Sequence, residues 1–293
     1  MDCDTRLKID LHVHSTASDG TLTPREIVGL AHETGLAALA ITDHDTIEGA
    51  KQALSSNIDP SLKIISGVEI STAPPNHFPF QGSFHILGYG IALDHAPLNR
   101  VLEKLQQARQ NRNPGIAKRL AEMGMPINSK ELSQAAGEKG QIGRPHIAQV
   151  MVAKGYAVSM DDAFDRFIGA GKPAYVDKFR VDCPEAIQLI QSAGGVAILA
   201  HPYLYRHSGD ETLKQLIEVL IQFGLQGLET YYPEHSEDDT RHFRSLAKRY
   251  DLLQTGGTDF HGAIKKGLRL GSGYGDFCVP YGLFERLSER LPS

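Results

Sequence analysis

The stretch GVAILAH, residues 195–201, is small or apolar at every position until it reaches His201. A strand that is apolar on both of its alternating faces is typical of a sheet covered by helices on both sides. In such folds, polar residues at the carboxyl ends of strands collect at one edge of the sheet. GVAILAH therefore predicts a central strand of an α/β protein, with His201 at its functional end.

Strand and helix patterns alternate on both sides of this stretch. Thr23 and Pro24 have the residue types of an N-cap and a first helical position, so they predict the start of the first helix. This helix is predicted at residues 24–33, and further helices are predicted at residues 46–55, 184–192, 211–223 and 238–250. Strands are predicted at residues 8–13, 39–42, 63–69, 83–89, 195–200, 225–231 and 252–258. Near-continuous apolar strands in this number favour a barrel-like α/β fold with a parallel sheet over an open sheet.

Residues 97–182 interrupt the alternation. Helical periodicity is present at residues 101–110, 116–123, 145–153 and 160–167, and no strand is predicted there. The sequence thus predicts three segments: a first part of the barrel at 1–96, a small helical insertion that covers the substrate at 97–182, and a second part of the barrel at 183–293.

Composition limits the classes of function. Hydrophobic residues make up 41% of the 293 positions and charged residues 22%, which is typical of soluble globular proteins. A net charge of -5 argues against an extended nucleic-acid surface but permits a small cationic pocket. Cys3, Cys183 and Cys278 form no close pair, so neither a thiolate zinc site nor a disulfide framework is predicted. With no signal peptide and no apolar run near the roughly 20 residues of a membrane span, we expect a cytoplasmic protein without membrane contact or an obligate protein partner.

Histidines and carboxylates gather at the predicted strand ends. His12 and His14 alternate at the end of the first strand, so their imidazoles share one face. Other residues of these types stand at the ends of later strands or within them: Asp43, His44, Glu69, His85, His201, Asp259 and His261. Because the carboxyl ends of strands converge on one mouth in α/β barrels, these side chains are predicted to meet.

The residue types in this group indicate metal binding. A charged surface patch is disfavoured because crowded carboxylates repel unless cations compensate. A Ser/His/Asp triad is disfavoured because no G-x-S-x-G turn is present. Nitrogen and oxygen ligands without thiolates suit zinc, manganese or iron, and their number exceeds one tetrahedral site. Two or three divalent cations follow, and such clusters cleave phosphate esters by generating hydroxide near neutral pH.

Six short motifs, taken in order, resemble the polymerase-and-histidinol-phosphatase (PHP) family of metal-dependent phosphoesterases. They are His12-Val13-His14, Ser18-Asp19-Gly20, Thr42-Asp43-His44-Asp45, Gly67-Val68-Glu69, His201-Pro202 and Thr258-Asp259-Phe260-His261. The resemblance covers nearly all of the chain outside the helical insertion. It implies a distorted (β/α)7 barrel with a trinuclear site.

Carried over position by position, the resemblance also implies the ligands of each metal. The first metal would be held by His12, His14, Glu69 and Asp259, the second by Glu69, His85 and His201, and the third by Asp19, His44 and His261. Asp43 and Asp45 would orient imidazoles from outside the ligand set. Asp19, Glu69, His201 and Asp259 would be the catalytic residues, with a metal-bridging hydroxide as nucleophile.

Other stretches resemble the stand-alone bacterial members that act on nucleotides. They are Gly143-Arg144-Pro145-His146, Ala193-Gly194-Gly195, His201-Pro202-Tyr203 and Tyr231-Tyr232-Pro233-Glu234-His235. This implies hydrolysis of phosphate monoesters such as adenosine 3′,5′-bisphosphate, or of the 5′ ends of short RNA. The alternatives are histidinol phosphate, hydrolysis of a C–N bond at the same site, and a non-catalytic module of a polymerase.

Four residues are candidate substrate contacts. Arg144, at a predicted helix start, could clamp a phosphate with both guanidinium nitrogens or could be a solvated surface arginine. His146 is its neighbour in the same motif. Tyr203 could stack on a base or pack in the core, and His235 could contact substrate or lie on the surface.

Overall fold

The computed structural model describes residues 7–56, 59–76, 78, 84–137 and 141–291. Its strands are β1 (Lys8–Val13), β2 (Leu36–Ile41), β3 (Lys63–Ala73), β4 (Phe84–Tyr89), β5 (Val181–Asp182), β6 (Val196–Leu199), β7 (Gly227–Tyr231), β8 (Leu253–Gly256) and β9 (Val279–Pro280). Its α-helices are α1 (Pro24–Glu33), α2 (Glu48–Ser56), α3 (Ala96–Glu122), α4 (Ser129–Ala136), α5 (Arg144–Ala153), α6 (Met160–Ala163), α7 (Cys183–Ser192), α8 (Asp210–Gln222), α9 (Glu237–Arg249) and α10 (Tyr281–Ser288).

One nine-stranded sheet runs in the order β8-β7-β6-β4-β3-β2-β1-β9, with β5 paired to β3. β1, β2 and β3 pair in parallel, as do β6, β7 and β8. β4 is antiparallel to both of its neighbours, so the prediction of a wholly parallel sheet was wrong there. Residues 74–83 between β3 and β4 are fewer than the dozen or so that a parallel crossover needs. The reversal brings the beginning of β4, with His85, to the end of the sheet where the neighbouring strands finish.

The sheet curls into a nearly closed barrel. A parallel bridge joins Val13 to Phe260, and the His14 amide donates to the Phe260 carbonyl at 2.8 Å. These contacts lay the chain after β8 beside the end of β1. The predicted α/β barrel fold is confirmed.

Alternate residues of the strands fill the barrel. Ile9 and Leu11 of β1 belong to one buried cluster with Leu87 and Tyr89 of β4. Two-residue alternation of this kind is expected of the inward face of a barrel. The cluster also contains Ala38, Ala40, Val196, Ile198, Ala200, Val279, Leu283, Phe284 and Leu287. Because the last three lie on α10, this helix packs on the same apolar interior.

A single long helix connects the barrel to the insertion. α3 runs for 27 residues straight through Pro114, so the predicted break between residues 110 and 116 was wrong. Leu98 and Leu105, near its start, pack in the apolar layer between the outer face of the sheet and the surrounding helices, whereas Ile116 and Leu120 belong to a separate apolar cluster of the insertion. An internal proline costs about 3 kcal/mol of helix stability, and packing at both ends of α3 offsets this cost.

Within residues 97–182, α4 and the short strand β5 were not predicted. α6 ends at Ala163 and continues as a π-helical turn, Phe164–Ile168, in place of one regular helix. The domain boundaries at 97 and 182 stay predictions.

Local signals were more reliable than these long-range ones. Thr23 caps α1 as predicted: its side chain accepts from the Glu26 amide, and the Glu26 carboxylate accepts from the Thr23 amide at 2.7 Å.

Cys278 is disulfide-bonded, which the cysteine spacing did not predict, while Cys183 is buried and free. Cys3 and Ser83, the predicted first residue of the fourth strand, lie outside the described residues. Across the described residues, none of the helices combines the length and apolar character needed to cross a bilayer.

Candidate metal centre

His12 and His14 lie at the end of β1 and point to the same side, as predicted. Both are fully buried. Their Nε2 atoms approach the same two carboxylate oxygens: Glu69 Oε2 lies at 3.5 and 3.2 Å, and Asp259 Oδ1 at 3.5 and 3.1 Å. The two-residue alternation of a strand thus directs a pair of imidazoles at one point.

Glu69 occupies the middle of the site. Its Oε2 lies 2.8 Å from His44 Nδ1 and also faces the pair on β1. Its Oε1 lies 2.7 Å from His85 Nδ1 and 3.0 Å from His201 Nε2. The two oxygens of one carboxylate therefore face two different groups of imidazoles.

The Asp19 carboxylate is surrounded by a third group of imidazoles. Its carboxylate oxygens lie 3.4 Å from His261 Nε2, 3.8 Å from His44 Nε2 and 3.9 Å from His14 Nδ1. Ligand atoms within 4.8 Å of one another define three groups: His14, Asp19, His44 and His261; His12, His14 and Asp259; and His44, Glu69 and His85. The structure thus brings together all nine residues that the sequence indicated.

Many polar atoms in this cluster lack hydrogen bonds. In the part of the chain that the structure describes, no hydrogen-bond partner is present for His12 Nε2, His14 Nε2, Asp19 Oδ1, His44 Nδ1, Glu69 Oε2 and His201 Nδ1. Several face one another at short distances without hydrogen-bond geometry. Buried polar atoms are normally satisfied, so this set fits divalent cations held among imidazole nitrogens and carboxylate oxygens.

The protonation of the cluster is strongly perturbed. Burial raises the pKa of Glu69, but the imidazoles of His44 and His85 outweigh it and hold that pKa well below its usual range. Burial lowers the pKa of His14, but the adjacent Asp259 and Glu69 carboxylates raise it overall to about 9. Burial lowers the pKa of His85 to about 4. Protons and metal ions therefore compete for the same atoms.

Strained backbone accompanies the cluster. Asp45, His201 and Asp259 have positive φ angles of 58°, 29° and 52°, a region that residues other than glycine seldom adopt. All three lie at or next to the clustered side chains. Strain of this kind persists where the surrounding structure enforces it, and it collects at functional sites.

A carboxylate that the sequence did not single out orients two of the histidines. Glu229, fully buried on β7, accepts from His12 Nδ1 at 2.8 Å and from the His201 amide at 2.7 Å. Its position near the end of a predicted strand was the available signal. Among the described residues neither Asp43 nor Asp45 bonds an imidazole directly, and Asp43 reaches His14 only through the Ser18 hydroxyl, which lies 3.5 Å from His14 Nδ1.

Asp43 and Asp45 hold the surroundings of the cluster together. Asp43 accepts from the hydroxyls of Ser15 and Ser18 at 2.6 and 2.5 Å. Asp45 accepts from the Ser71 amide at 2.7 Å and from Arg109 of α3 at 2.7 Å. The first aspartate fixes the turn that carries Asp19, and the second ties the insertion to the barrel.

The insertion places arginine and lysine side chains beside the cluster. One pocket is lined by Asp19, His44, Ser71, Phe84, His85, Arg109, Arg112, Arg144, Pro145, Phe164, Lys178 and Arg180. Arg144 lies 5.6 Å from the ring centres of both Phe164 and Tyr175. Arg112 is buried, and among the described residues no carboxylate lies within ion-pair distance of it. A Cβ at Gly143 would lie 3.1 Å from Asp19 Oδ2, so a glycine there permits this close approach.

The other three candidate contacts lie around the same mouth. His146 is buried at the start of α5, where its Nδ1 accepts from the Gly143 amide at 3.0 Å. The rings of Tyr203 and His235 lie 5.9 Å apart, and His235 lies 5.5 Å from Tyr232. Burial lowers the pKa of His235 to about 4, so this imidazole is neutral. Contact of these residues with substrate stays a prediction.

Comparison with known proteins agrees with this arrangement. A PHP domain model matches residues 10–122. A 5′-3′ exoribonuclease of Haemophilus influenzae is 35% identical over 254 residues, which cover 87% of this chain and 90% of the relative. The chain belongs to the PHP family. The prediction of family from the motifs is thereby confirmed.

Other relatives extend the comparison within the PHP family. A 3′,5′-nucleoside bisphosphate phosphatase of Chromobacterium violaceum is 32% identical over 263 residues, which cover 90% of each chain. A solved structure from Bifidobacterium adolescentis, assigned as a metal-dependent phosphoesterase, is 29% identical with a TM-score of 0.82 and covers 97% of this chain and 96% of its own. A second, described as an amidohydrolase of Chromobacterium violaceum with bound sulfate and no metal, is 30% identical with a TM-score of 0.84 and covers 97% of each chain. The names of the exoribonuclease, the bisphosphate phosphatase and the metal-dependent phosphoesterase agree with the prediction of a phosphoesterase.

Proposed function

We propose that this protein hydrolyses phosphate esters of nucleotides, either the monoesters of 3′,5′-bisphosphates such as adenosine 3′,5′-bisphosphate or the 5′ ends of short RNA. The observation that carries the proposal is Glu69, whose two buried oxygens face separate groups of imidazoles while several of the surrounding atoms lack hydrogen bonds. Two named relatives, the exoribonuclease and the bisphosphate phosphatase, support this class of substrate.

Two or three divalent ions, manganese, zinc or iron, are the proposed cofactors. His12, His14, Glu69 and Asp259 would hold the first, Glu69, His85 and His201 the second, and Asp19, His44 and His261 the third. Bound ions of this kind acidify water and neutralise charge on a phosphoryl group. The chain's own contribution is to fix the ligand atoms: Glu229 orients His12, and Asp43 holds the turn that carries Asp19.

The cationic pocket supplies the affinity for phosphate. Arg109 and Lys178 share the Asp45 carboxylate at 2.7 and 3.5 Å, and Arg180 pairs with Asp177 at 2.5 Å. Arg112, which has no ion-pair partner among the described residues, would bind a substrate anion, and Arg144 lines the same pocket beside it. Burial and the neighbouring Arg109 and Arg144 lower the pKa of Arg112 to about 9, so its guanidinium is charged at neutral pH and gains from an oxyanion partner. Beyond the mouth, Tyr203 and His235 would contact the nucleoside.

The test is a substrate panel on protein of measured metal content. We expect adenosine 3′,5′-bisphosphate or a 5′-phosphorylated dinucleotide to exceed histidinol phosphate in kcat/KM by at least about a hundredfold, the scale of two charge-assisted contacts. Arg112→Met should lower kcat/KM on the preferred substrate, whereas the exposed Arg166→Met should not. Preference for histidinol phosphate would refute the nucleotide assignment.

Hydrolysis of a C–N bond is the second candidate, because one solved relative is described as an amidohydrolase. Its substrate would have no need of a pocket lined by five cationic side chains. An N-acyl amino acid series in the same panel tests it. Release of amine at rates above those of the phosphate esters would favour this alternative.

A further inference from the structure

Lys265 contacts a carboxylate of the cluster from outside the set of histidines and carboxylates that would hold the metals. Its Nζ lies 2.6 Å from Asp259 Oδ2, the same oxygen that accepts the Tyr232 hydroxyl at 2.9 Å. The ammonium also lies 3.5 Å from that hydroxyl and 5.7 Å from the centre of the Tyr232 ring. One oxygen of Asp259 is thus held by two donors.

The other oxygen of Asp259 has different surroundings. Oδ1 lies 3.1 Å from His14 Nε2 and 3.5 Å from both His12 Nε2 and His261 Nδ1. A carboxylate with one oxygen engaged by an ammonium and a phenol has only the other oxygen free to ligate a cation. The arrangement therefore favours ligation through Oδ1 alone.

Lys265 is held in place by the backbone that precedes it. The Ala263 amide donates to Thr21 Oγ1 at 2.9 Å, and the Thr21 amide donates to the His261 carbonyl at 3.2 Å. Gly262 has a φ of 67°, and a Cβ there would lie 2.0 Å from Thr21 Oγ1. This tight turn starts the Lys265 side chain from a fixed point, and only 26% of that side chain is exposed.

We propose that Lys265 is a positioning residue that, with Tyr232, restricts Asp259 to single-oxygen ligation and weakens the affinity of the centre for divalent cations. The inference rests on the proposed metal centre. An ammonium next to a ligating carboxylate repels the incoming ion, so removing it strengthens binding. Removing it also leaves Oδ2 with the Tyr232 hydroxyl as its one remaining donor among the described residues, which relaxes the geometry on which turnover depends. Affinity and turnover should therefore change in opposite directions.

The experiment compares Lys265→Met with Lys266→Met, which removes the same charge from the exposed neighbouring position. Metal-free full-length protein is titrated with Mn²⁺ in competition with a chelator, and the melting temperature is recorded without metal. For Lys265→Met we expect Mn²⁺ affinity to rise at least about tenfold. The Coulomb repulsion between an ammonium and a divalent ion a few ångströms apart is about that large even in a medium that screens as strongly as water. We also expect the metal-free protein to melt at a lower temperature, since Asp259 loses its counter-ion.

Turnover completes the test. In saturating Mn²⁺, Lys265→Met should lower kcat, while Lys265→Arg should retain both wild-type affinity and kcat. Lys265→Gln carries the same comparison if the methionine variant does not fold. Mn²⁺ affinity that is unchanged or weaker in both neutral variants overturns the inference and leaves the metal centre standing. Wild-type protein that binds no Mn²⁺, Zn²⁺ or Fe²⁺ overturns both.

Discussion

Replacing Glu229 by glutamine tests whether the centre depends on a carboxylate outside the ligand set. Glu229 uses one oxygen for His12 Nδ1 and the other for the His201 amide, at 2.8 and 2.7 Å. A carboxamide has only one accepting oxygen. If it accepts from the His201 amide, its NH₂ group faces His12 Nδ1. His12 must then carry its proton on Nε2, the atom that points at Glu69 and Asp259.

The expected loss of metal affinity follows from this change in the tautomer of His12. Loss of a partner that orients a ligating histidine costs roughly 10–100-fold in metal affinity. This corresponds to about 1.4–2.7 kcal/mol. We expect Glu229→Gln to lie at the upper end, because the substitution both weakens the ligand and favours the tautomer that cannot ligate. The unfolding free energy of the metal-free protein should fall by a further ~1–3 kcal/mol, since buried polar groups lose partners.

Calorimetric titration of metal-free protein with Zn²⁺ measures the first effect and urea unfolding the second. Glu234→Gln is the matched control, because it removes an exposed carboxylate from the loop that follows β7. Equal Zn²⁺ affinity for wild type and Glu229→Gln, in a preparation where Glu69→Gln has lost binding, would show that the reasoning about His12 is mistaken.

The remaining predictions concern the ligands and the anchor of the insertion. Glu69→Gln should reduce kcat by at least about a thousandfold while circular dichroism stays that of the wild type, because one group joins both halves of the ligand set; residual activity within tenfold of wild type would contradict this. Apparent Zn²⁺ affinity should rise between pH 7 and pH 9, since the pKa of His14 is raised to about 9 without metal and its proton must leave before it ligates; a flat titration over that interval would contradict it. Asp45→Asn should cost about 3–5 kcal/mol in urea unfolding because Arg109 loses its buried counter-ion, whereas Asp251→Asn, at an exposed position with a similar φ of 52°, should cost less than about 1 kcal/mol.

The features that were predictable from sequence are those determined over a few residues. Thr23 and Glu26 form a capping box within one turn. The shared direction of His12 and His14 on β1 follows because alternate side chains of an extended chain lie on the same face. The convergence of distant strand ends was also predictable, because barrel geometry requires it once the strands are recognised. The orientation of β4 was missed because the apolar pattern of a strand has no direction. The length of the chain between β3 and β4 contained that information.

The contacts that sequence could not supply are those in which adjacency along the chain misleads. Asp43 and Asp45 flank His44, yet Asp43 precedes it on an extended chain whose neighbouring side chains point to opposite sides, and Asp45, with a φ of 58°, lies in a turn. They therefore reach Ser15 and Arg109 instead of the imidazole between them. Glu229 lies 217 positions from His12 but on a facing strand, where its side chain enters the same interior. A residue that orients a ligand in a barrel is thus to be sought at equal height on another strand, and Glu229→Gln should impair the centre more than Asp43→Asn.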